Sequence, residues 1–245
     1  MTPAAIKALA LFTDFGLSDS YQGEMKAQIC AYLSGRSLFD LMSGAPSLNA
    51  RASAYLLAAI VRYLPGGIFI IAVVDPGVGS ERKVLLLDTG RHLLLGPDNG
   101  LLSQVYRQQG GEIFEIGWRP EWLSNSFHGR DLFAPAAVRW LSGDTLSLSP
   151  SCSSSLIGME WPVDVPQIIH VDGFGNLVSG VRFPGEGAQV SVAGKRLPYV
   201  RTFSEAPIGE LIWYQNSIGL VEIAANQASA AALLQLGVGA PLEIL

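Results

Sequence analysis

Cysteine, histidine and charge are all scarce in this chain. Its 245 residues hold two cysteines and three histidines, and only 15% of them are charged. Cys30 and Cys152 lie far apart, and neither belongs to a CxxC or another metal-ligand spacing. That argues against a disulfide framework or a zinc site, and makes a reducing cytoplasm the expected location. Lysine and arginine number 16 against 21 acidic residues, the net charge is −5, and the basic residues are scattered singly. Nucleic acid would need a Lys/Arg-rich face and an anionic membrane a basic cluster, so neither is expected as a partner. GxGxxG, Walker A, GxSxG and HExxH sequences are all missing, so dinucleotide, nucleoside triphosphate, α/β-hydrolase and zincin chemistries lack their fingerprints. The longest uncharged run, 223–242, has the length of a membrane span. It contains Asn226, Gln227, Gln235 and Pro241, which predict a soluble helix and strand instead. The apolar opening runs straight into Thr13-Asp14-Phe15-Gly16 without a small-residue cleavage site, and reads as a first strand, not a signal peptide.

What is abundant is hydrophobicity. At 49% apolar, the chain can bury a substantial core in one large or two smaller domains, which excludes a largely disordered protein. Residues 1–150 alternate apolar runs with helix-like segments. Strands are expected at 8–13, 68–74, 83–89, 92–97 and 113–117, and helices at 21–33, 49–64 and 131–141, with Pro135 confining the last to a helix start or a kink. This alternation predicts an α/β domain with a largely parallel sheet. The Ser-rich, proline-bounded stretch 151–166 reads as a linker. Beyond it, 167–245 carries short β-branched or aromatic runs between Gly and Pro signals, the pattern of a smaller all-β, barrel-like domain, with one helix expected at 226–236.

Four places could carry chemistry, since α/β proteins put it in loops at strand ends. In TDFGLSDSYQGEMK, Asp14 ends a strand, and Asp19 and Tyr21 precede a helix. A strand-end carboxylate can accept hydrogen bonds from a ribose diol, or an aspartate here can simply cap the helix. In VVDPGVGSER, Asp75 and Arg82 can form a structural ion pair or two members of a catalytic set. In SFHGRDLFAP, His128 and Gly129 stand at a helix entrance, where the histidine is structural or a proton-handling group. In VDGFGNLVSG, Asp172, Phe174 and Asn176 sit on a tight turn, either a plain hairpin or a loop whose amide complements a base edge.

In order along the chain, TDFG…D.Y.GEMK, VVDPGVGSER, LGPDNGLLS, SFHGRDLFAPAA, VDGFGNLVSG and YQNSIGLVEIAANQASAA resemble the S-adenosyl-L-methionine hydroxide adenosyltransferases, hydrolases related to the fluorinase and chlorinase. The resemblance implies an N-terminal α/β domain, a C-terminal barrel-like domain, and a homotrimer with sites between neighbouring subunits. It implies a cofactor-free, metal-free reaction in which water or hydroxide attacks C5′ of S-adenosylmethionine, releasing adenosine and L-methionine. The family's Asp-Arg-His set around the nucleophile falls on Asp75, Arg82 and His128, with the Gly129 amide as a further donor. Asp14 would hold the ribose hydroxyls, with Asp19 and Tyr21 beside it. Asp172 would meet the methionine ammonium, Asn176, Ser217 and Glu222 the methionine or adenine ends, and Phe174 and the backbone near Ala225 would flank the adenine.

These roles suit the chemistry. A sulfonium leaves as a neutral thioether, so the reaction needs a held, partly desolvated oxygen nucleophile and no acid for the leaving group. Asp75 and His128 can accept a proton or hydrogen bond from water, and Arg82 can orient the carboxylate. One motif departs: the family's D-I/V-T-H reads Asp40-Leu41-Met42-Ser43 here, and a neighbouring position that is aromatic in the halogenases falls at Ser47 or Leu48. Two other readings compete with the hydrolase. A halide adenosyltransferase would use the same substrate, but a carboxylate beside the nucleophile repels a halide. The other is an S-adenosylmethionine- or adenosine-binding protein with little turnover.

Overall fold

The computed structural model describes residues 1–33 and 35–245, and the chain divides into two compact units. Met1–Ala58 and Leu64–Trp161 form the first, and Ala59–Tyr63 and Pro162–Leu245 the second.

A seven-stranded sheet organises the first unit. Its order is β2 (Ser37–Met42), β1 (Ala8–Thr13), β3 (Ile68–Val73), β5 (His92–Pro97), β4 (Val84–Asp88), β6 (Glu112–Ile116) and β7 (Leu148–Pro150). The pairs β2–β1, β1–β3 and β3–β5 are parallel. The strands β4, β6 and β7 join antiparallel, so β6 runs in the same direction as β5. The largely parallel sheet read from the sequence is the one that forms, with an antiparallel flank.

All six residues of β3 are buried, as its unbroken apolar run requires. Phe69 and Ile71 join Leu9, Leu11, Met25, Ile29, Phe133 and Trp140 in one core cluster. Each such side chain taken fully out of water contributes about 1.5–3 kcal/mol before the entropy cost. Thr13 pairs with Val73 at the last rung between β1 and β3, so the two chains leave the sheet at the same level. Asp14 and Asp75 therefore issue from one edge.

Helices α1 (Tyr21–Cys30), α2 (Ala50–Val61), α3 (Ser103–Gln109) and α4 (Ala134–Leu141) complete the α/β pattern. Pro135 lies in the first turn of α4, where it has no N–H to donate to the turn before it. The expected helix at 131–141 starts earlier and differently, as a π-helical turn over Gly129–Phe133 that runs into α4. Three elements escaped the sequence reading. The strand β2 is an edge strand with half-exposed residues, α3 is short and mostly polar, and β7 has only three residues, so none carries a strong periodic signal.

Besides the end of α2, the second unit is all-β apart from one short helix and a 3₁₀ turn. One antiparallel sheet runs β12 (Leu211–Gln215), β13 (Leu220–Ala225), β9 (Leu177–Arg182) and β8 (Val165–Val171). The other runs β11 (Lys195–Leu197), β10 (Val190–Val192) and β14 (Leu242–Ile244). Bridges Tyr199–Trp213 and Gln167–Pro241 stand outside these strands, and among the described residues no ladder closes the strands into a barrel. Buried Trp213 packs against Tyr199 and Phe183 at the centre of this core. The helix expected at 226–236 is α5 (Ala230–Leu234), shorter at both ends. Its N-cap is Ser229, whose Oγ accepts from the Ala232 amide at 3.1 Å, and Gln235 turns left-handed to end it. Among the described residues no helix is long and apolar enough to cross a membrane.

Candidate active site

The apolar run of β3 gives way to Asp75-Pro76, which opens the loop that returns through Arg82 into β4. Arg82 Nε donates to Asp75 Oδ1 at 2.7 Å and to Oδ2 at 2.8 Å, and Arg82 Nη2 donates to Oδ2 as well. The same Nη2 lies 3.0 Å from His128 Nδ1. A guanidinium has no acceptor, so Nδ1 accepts this bond and a neutral ring carries its proton on Nε2. The side chains of the ion pair are buried, and so is His128. Burial holds the His128 pKa below the usual histidine range, and the Arg82 charge lowers it further against a smaller opposing effect of Asp75. The carboxylate, the guanidinium and a neutral imidazole thus form one hydrogen-bonded object.

A cleft of about 250 Å³ opens beside it, lined by Asp14, Tyr21, Asp75, His128 and Gly129. Asp14 is half-buried, and its Oδ2 accepts from the Leu48 amide at 2.8 Å. Burial raises the Asp14 pKa, and the nearby Asp75 charge adds to that rise. Leu48 presents its amide from a left-handed backbone, at a φ of 55°. A relay of side chains fixes the strand ends behind: Thr13 Oγ1 donates to Gln22 Oε1 at 2.8 Å, and Gln22 Nε2 to Asp40 Oδ1 at 2.7 Å. Tyr21, Phe15 and Phe127 pack mutually at the cleft, with ring centroids 5.1–5.9 Å apart. Gly129 is crowded by the same group. A Cβ there would lie 3.0 Å from Phe127 Cε2, 3.1 Å from Met25 Sδ and 3.2 Å from Phe15 Cζ.

Asp19 is exposed and does not line this cleft. Neither Asp14 nor Asp19 caps α1, whose N-cap is Ser20 and receives no side-chain cap bond. Arg130 pairs with its neighbour Asp131, donating from Nε to Oδ1 at 2.6 Å, and also reaches α1, donating from Nη1 to Glu24 Oε2 at 2.8 Å. Met42, the last residue of β2, and Ser43 just after it, where the motif departs, do not line the cleft, and the Ser43 carbonyl accepts from the Gly16 amide at 2.7 Å. Ser47 and Leu48 do line it.

A second cleft, of about 760 Å³, lies in the second unit and gathers Asp172, Phe174, Asn176, Ser217, Glu222 and Ala225. The β8–β9 hairpin carries the first three. Asp172 Oδ1 accepts from the Phe174 and Asn176 amides at 2.9 Å each, and Oδ2 from Asn176 Nδ2 at 2.9 Å. The Asp172 carboxylate therefore holds its own turn and projects Phe174, which is 83% exposed, at the rim. Glu222 on β13 is buried, taking hydrogen bonds from Tyr214 Oη and, at 2.9 Å, from Asn216 Nδ2. Burial raises its pKa and the two donors partly reverse that rise. Ser217 is exposed and Ala225 buried.

The sequence reading missed several lining residues. Phe15 and Phe127 lay inside quoted motifs, but an aromatic in a loop gives no signal of its own. Tyr214 faces Glu222 across the β12–β13 ladder, so knowing that pairing would have exposed it. Among the described residues no three His, Cys, Asp or Glu side chains gather as a metal site.

A carboxylate–guanidinium–imidazole cluster at the strand ends of a largely parallel sheet, joined to an all-β unit with its own polar cleft, defines a two-part α/β protein. Residues 9–149 match the SAM hydroxide adenosyltransferase N-terminal domain, and residues 166–243 match the corresponding C-terminal domain. The chain belongs to the SAM hydroxide adenosyltransferase family. It is 33% identical to the (R)-S-adenosyl-L-methionine hydrolase of Thermus thermophilus, over 98% of this chain and all of that one. It is also 33% identical to the protein of that name from Salinispora arenicola, over 96% of this chain and 97% of the relative. Among solved structures, an uncharacterized conserved protein from Thermotoga maritima superposes with a TM-score of 0.85 at 27% identity, covering 97% of this chain and all of that one. A conserved hypothetical protein from Thermus thermophilus gives 0.80 at 32% identity, covering 98% of this chain and all of that one.

Proposed function

We propose that this chain hydrolyses S-adenosyl-L-methionine to adenosine and L-methionine, and that Asp75, Arg82, His128 and Gly129 handle the attacking water. The observation that carries the reading is the shared Arg82 guanidinium, which joins the Asp75 carboxylate and the His128 imidazole beside a cleft. The names of the relatives support the substrate. Asp75 accepts a hydrogen bond from water and takes its proton as the C5′–O bond forms. The C5′–S pair departs with sulfur as a neutral thioether, and the proton passes to solvent afterwards. Because Nδ1 is held by Arg82, His128 offers Nε2–H and acts as a donor that fixes the oxygen, with the Gly129 amide beside it. Burial of the cluster strengthens these bonds relative to water.

On the same reading Asp14, Tyr21 and the exposed Asp19 serve the nucleoside end. Asp172, Phe174, Asn176, Ser217, Glu222 and Ala225 form the part of the site that meets methionine and adenine. The two clefts serve one substrate if copies assemble, so the proposal includes a cytoplasmic homotrimer in which one copy's second cleft completes a neighbour's first. It includes no cofactor, nucleic acid or membrane, and a division into residues 1–150 and 167–245 joined by 151–166. Incubation with S-adenosylmethionine, supplied in the (R) form named for the relatives, in isotopically labelled water is expected to put label in the 5′-hydroxyl of adenosine. Unlabelled adenosine, a 5′-halo product with added chloride or fluoride, or binding without turnover would overturn it.

A further inference from the structure

We infer that Asn99 is a positioning residue for Asp75, and that the turn after β5 clamps the Asp75–Arg82 loop at both ends. The inference rests on the proposal that Asp75 handles the water.

The parallel ladder between β3 and β5 is in register from Ile68–His92 to Ile71–Leu95. Beyond it the strands still run close, for a Cβ on Gly96 would meet the Ala72 carbonyl at 2.8 Å. The chain of β5 then swings away through Asp98-Asn99-Gly100 and offers β3 no further backbone partner in that register. Val74 is fully buried, so its carbonyl needs one. Asn99 supplies it: Nδ2 donates to the Val74 carbonyl at 2.9 Å, a side chain standing in for the next rung. That carbonyl belongs to the peptide unit whose other half is the Asp75 amide, so fixing its plane fixes where Asp75 leaves the strand. Pro76 narrows the Asp75 backbone from the other side.

The far end of the loop meets the same turn. The Asp98 amide donates to the Lys83 carbonyl at 3.0 Å, one residue past Arg82. Two successive residues of one turn thus hold the backbone just before Asp75 and just after Arg82, while the two side chains pair between them. Asn99 lines neither cleft described above and acts only through Asp75. Its Oδ1 has a separate task, accepting from the Leu101 amide at 3.2 Å to shape the turn itself.

That division of labour gives the test. Asn99→Asp keeps an oxygen for Leu101 and replaces the donor to Val74 with a second oxygen. With wild-type turnover of S-adenosylmethionine as reference, kcat is expected to fall about ten- to a hundredfold with KM within about threefold, as for a nucleophile displaced by a fraction of an ångström. The ratio of variant to wild-type kcat is expected to recover as pH is lowered toward the carboxyl range, where the introduced carboxyl group takes up a proton and again donates to Val74. The His128 imidazole ¹⁵N resonances are expected to shift, reporting a displaced Arg82–His128 bond without reference to turnover. Unchanged kcat, a loss confined to KM, or a pH-independent loss with His128 resonances in place would overturn the inference. An inactive wild type would instead overturn the hydrolase reading, and the ¹⁵N shifts would still decide the clamp.

Discussion

Arg82 and His128 meet at 3.0 Å, Nη2 to Nδ1, although 46 residues separate them in sequence. Protonation of His128 would place a proton on the nitrogen to which the guanidinium already donates. Burial, the Arg82 charge and, more weakly, the Arg119 charge all favour the neutral ring, while Asp75 and Asp131 oppose them. The acid limb of a plot of kcat/KM against pH is therefore expected to have its midpoint below the ordinary histidine value of about 6.5. Arg119→Met removes one of the depressing charges and is expected to move this acid limb to higher pH. A limb that stays put in the variant would show that another group sets it.

The Asp75–Arg82 pair is buried, so breaking it from one side leaves a stranded charge. Arg82→Ala is expected to lose about 3–5 kcal/mol of stability in urea unfolding. Asp75→Ala and Arg82→Ala combined should lose less than the arginine change alone, because no buried charge remains. Both variants should lower kcat by about a hundredfold or more. Equal unfolding midpoints for the single and double variants would contradict a buried, interacting pair.

In the second unit the expected signature is affinity, since Glu222 is held by Tyr214 and Asn216 and is not among the groups assigned to water. Tyr214→Phe deletes a hydrogen bond to a buried carboxylate, worth about 1.5–3 kcal/mol. KM should rise about ten- to a hundredfold with kcat within about threefold. Steady-state kinetics showing a fall in kcat alone would move Tyr214 into the chemical step.

Gly129 tests how tightly the aromatic wall is packed. Its three neighbours would sit 3.0–3.2 Å from an added Cβ, so Gly129→Ala forces Phe15, Phe127 and Met25 outward by a few tenths of an ångström. The expected cost is about 1–3 kcal/mol in stability, with kcat/KM reduced about tenfold. Full activity at wild-type stability would mean that the rings yield freely.

Much of this was legible in the sequence, for identifiable reasons. The run IFIIAVV is buried on both faces of a sheet, so its length and composition announced β3 and the aspartate at its end. The family resemblance carried by the six motifs, and no local pattern, linked His128 to Asp75 and Arg82, and Glu222 to the hairpin of Asp172. The bland reading of VDGFGN was also correct in part, because Asp172 and Asn176 do hold a hairpin turn. Asp14 and Asp19 looked alike in one dimension, and only the fold shows that Asp14 lines the cleft of the first unit while Asp19 is exposed.

The linear pattern was enough for the strand ends, the glycine turns and the residue types available for the chemistry, since periodicity and backbone restriction are local properties. Folding in three dimensions was needed to settle which of Arg82's nitrogens meets His128, which His128 nitrogen keeps the proton, and that Asn99 reaches the Val74 carbonyl. Those are contacts between segments distant in sequence, fixed by strand order and by where β5 turns away from β3. Hydrogen bonding is directional over a fraction of an ångström, and nothing in a linear pattern carries distances of that size.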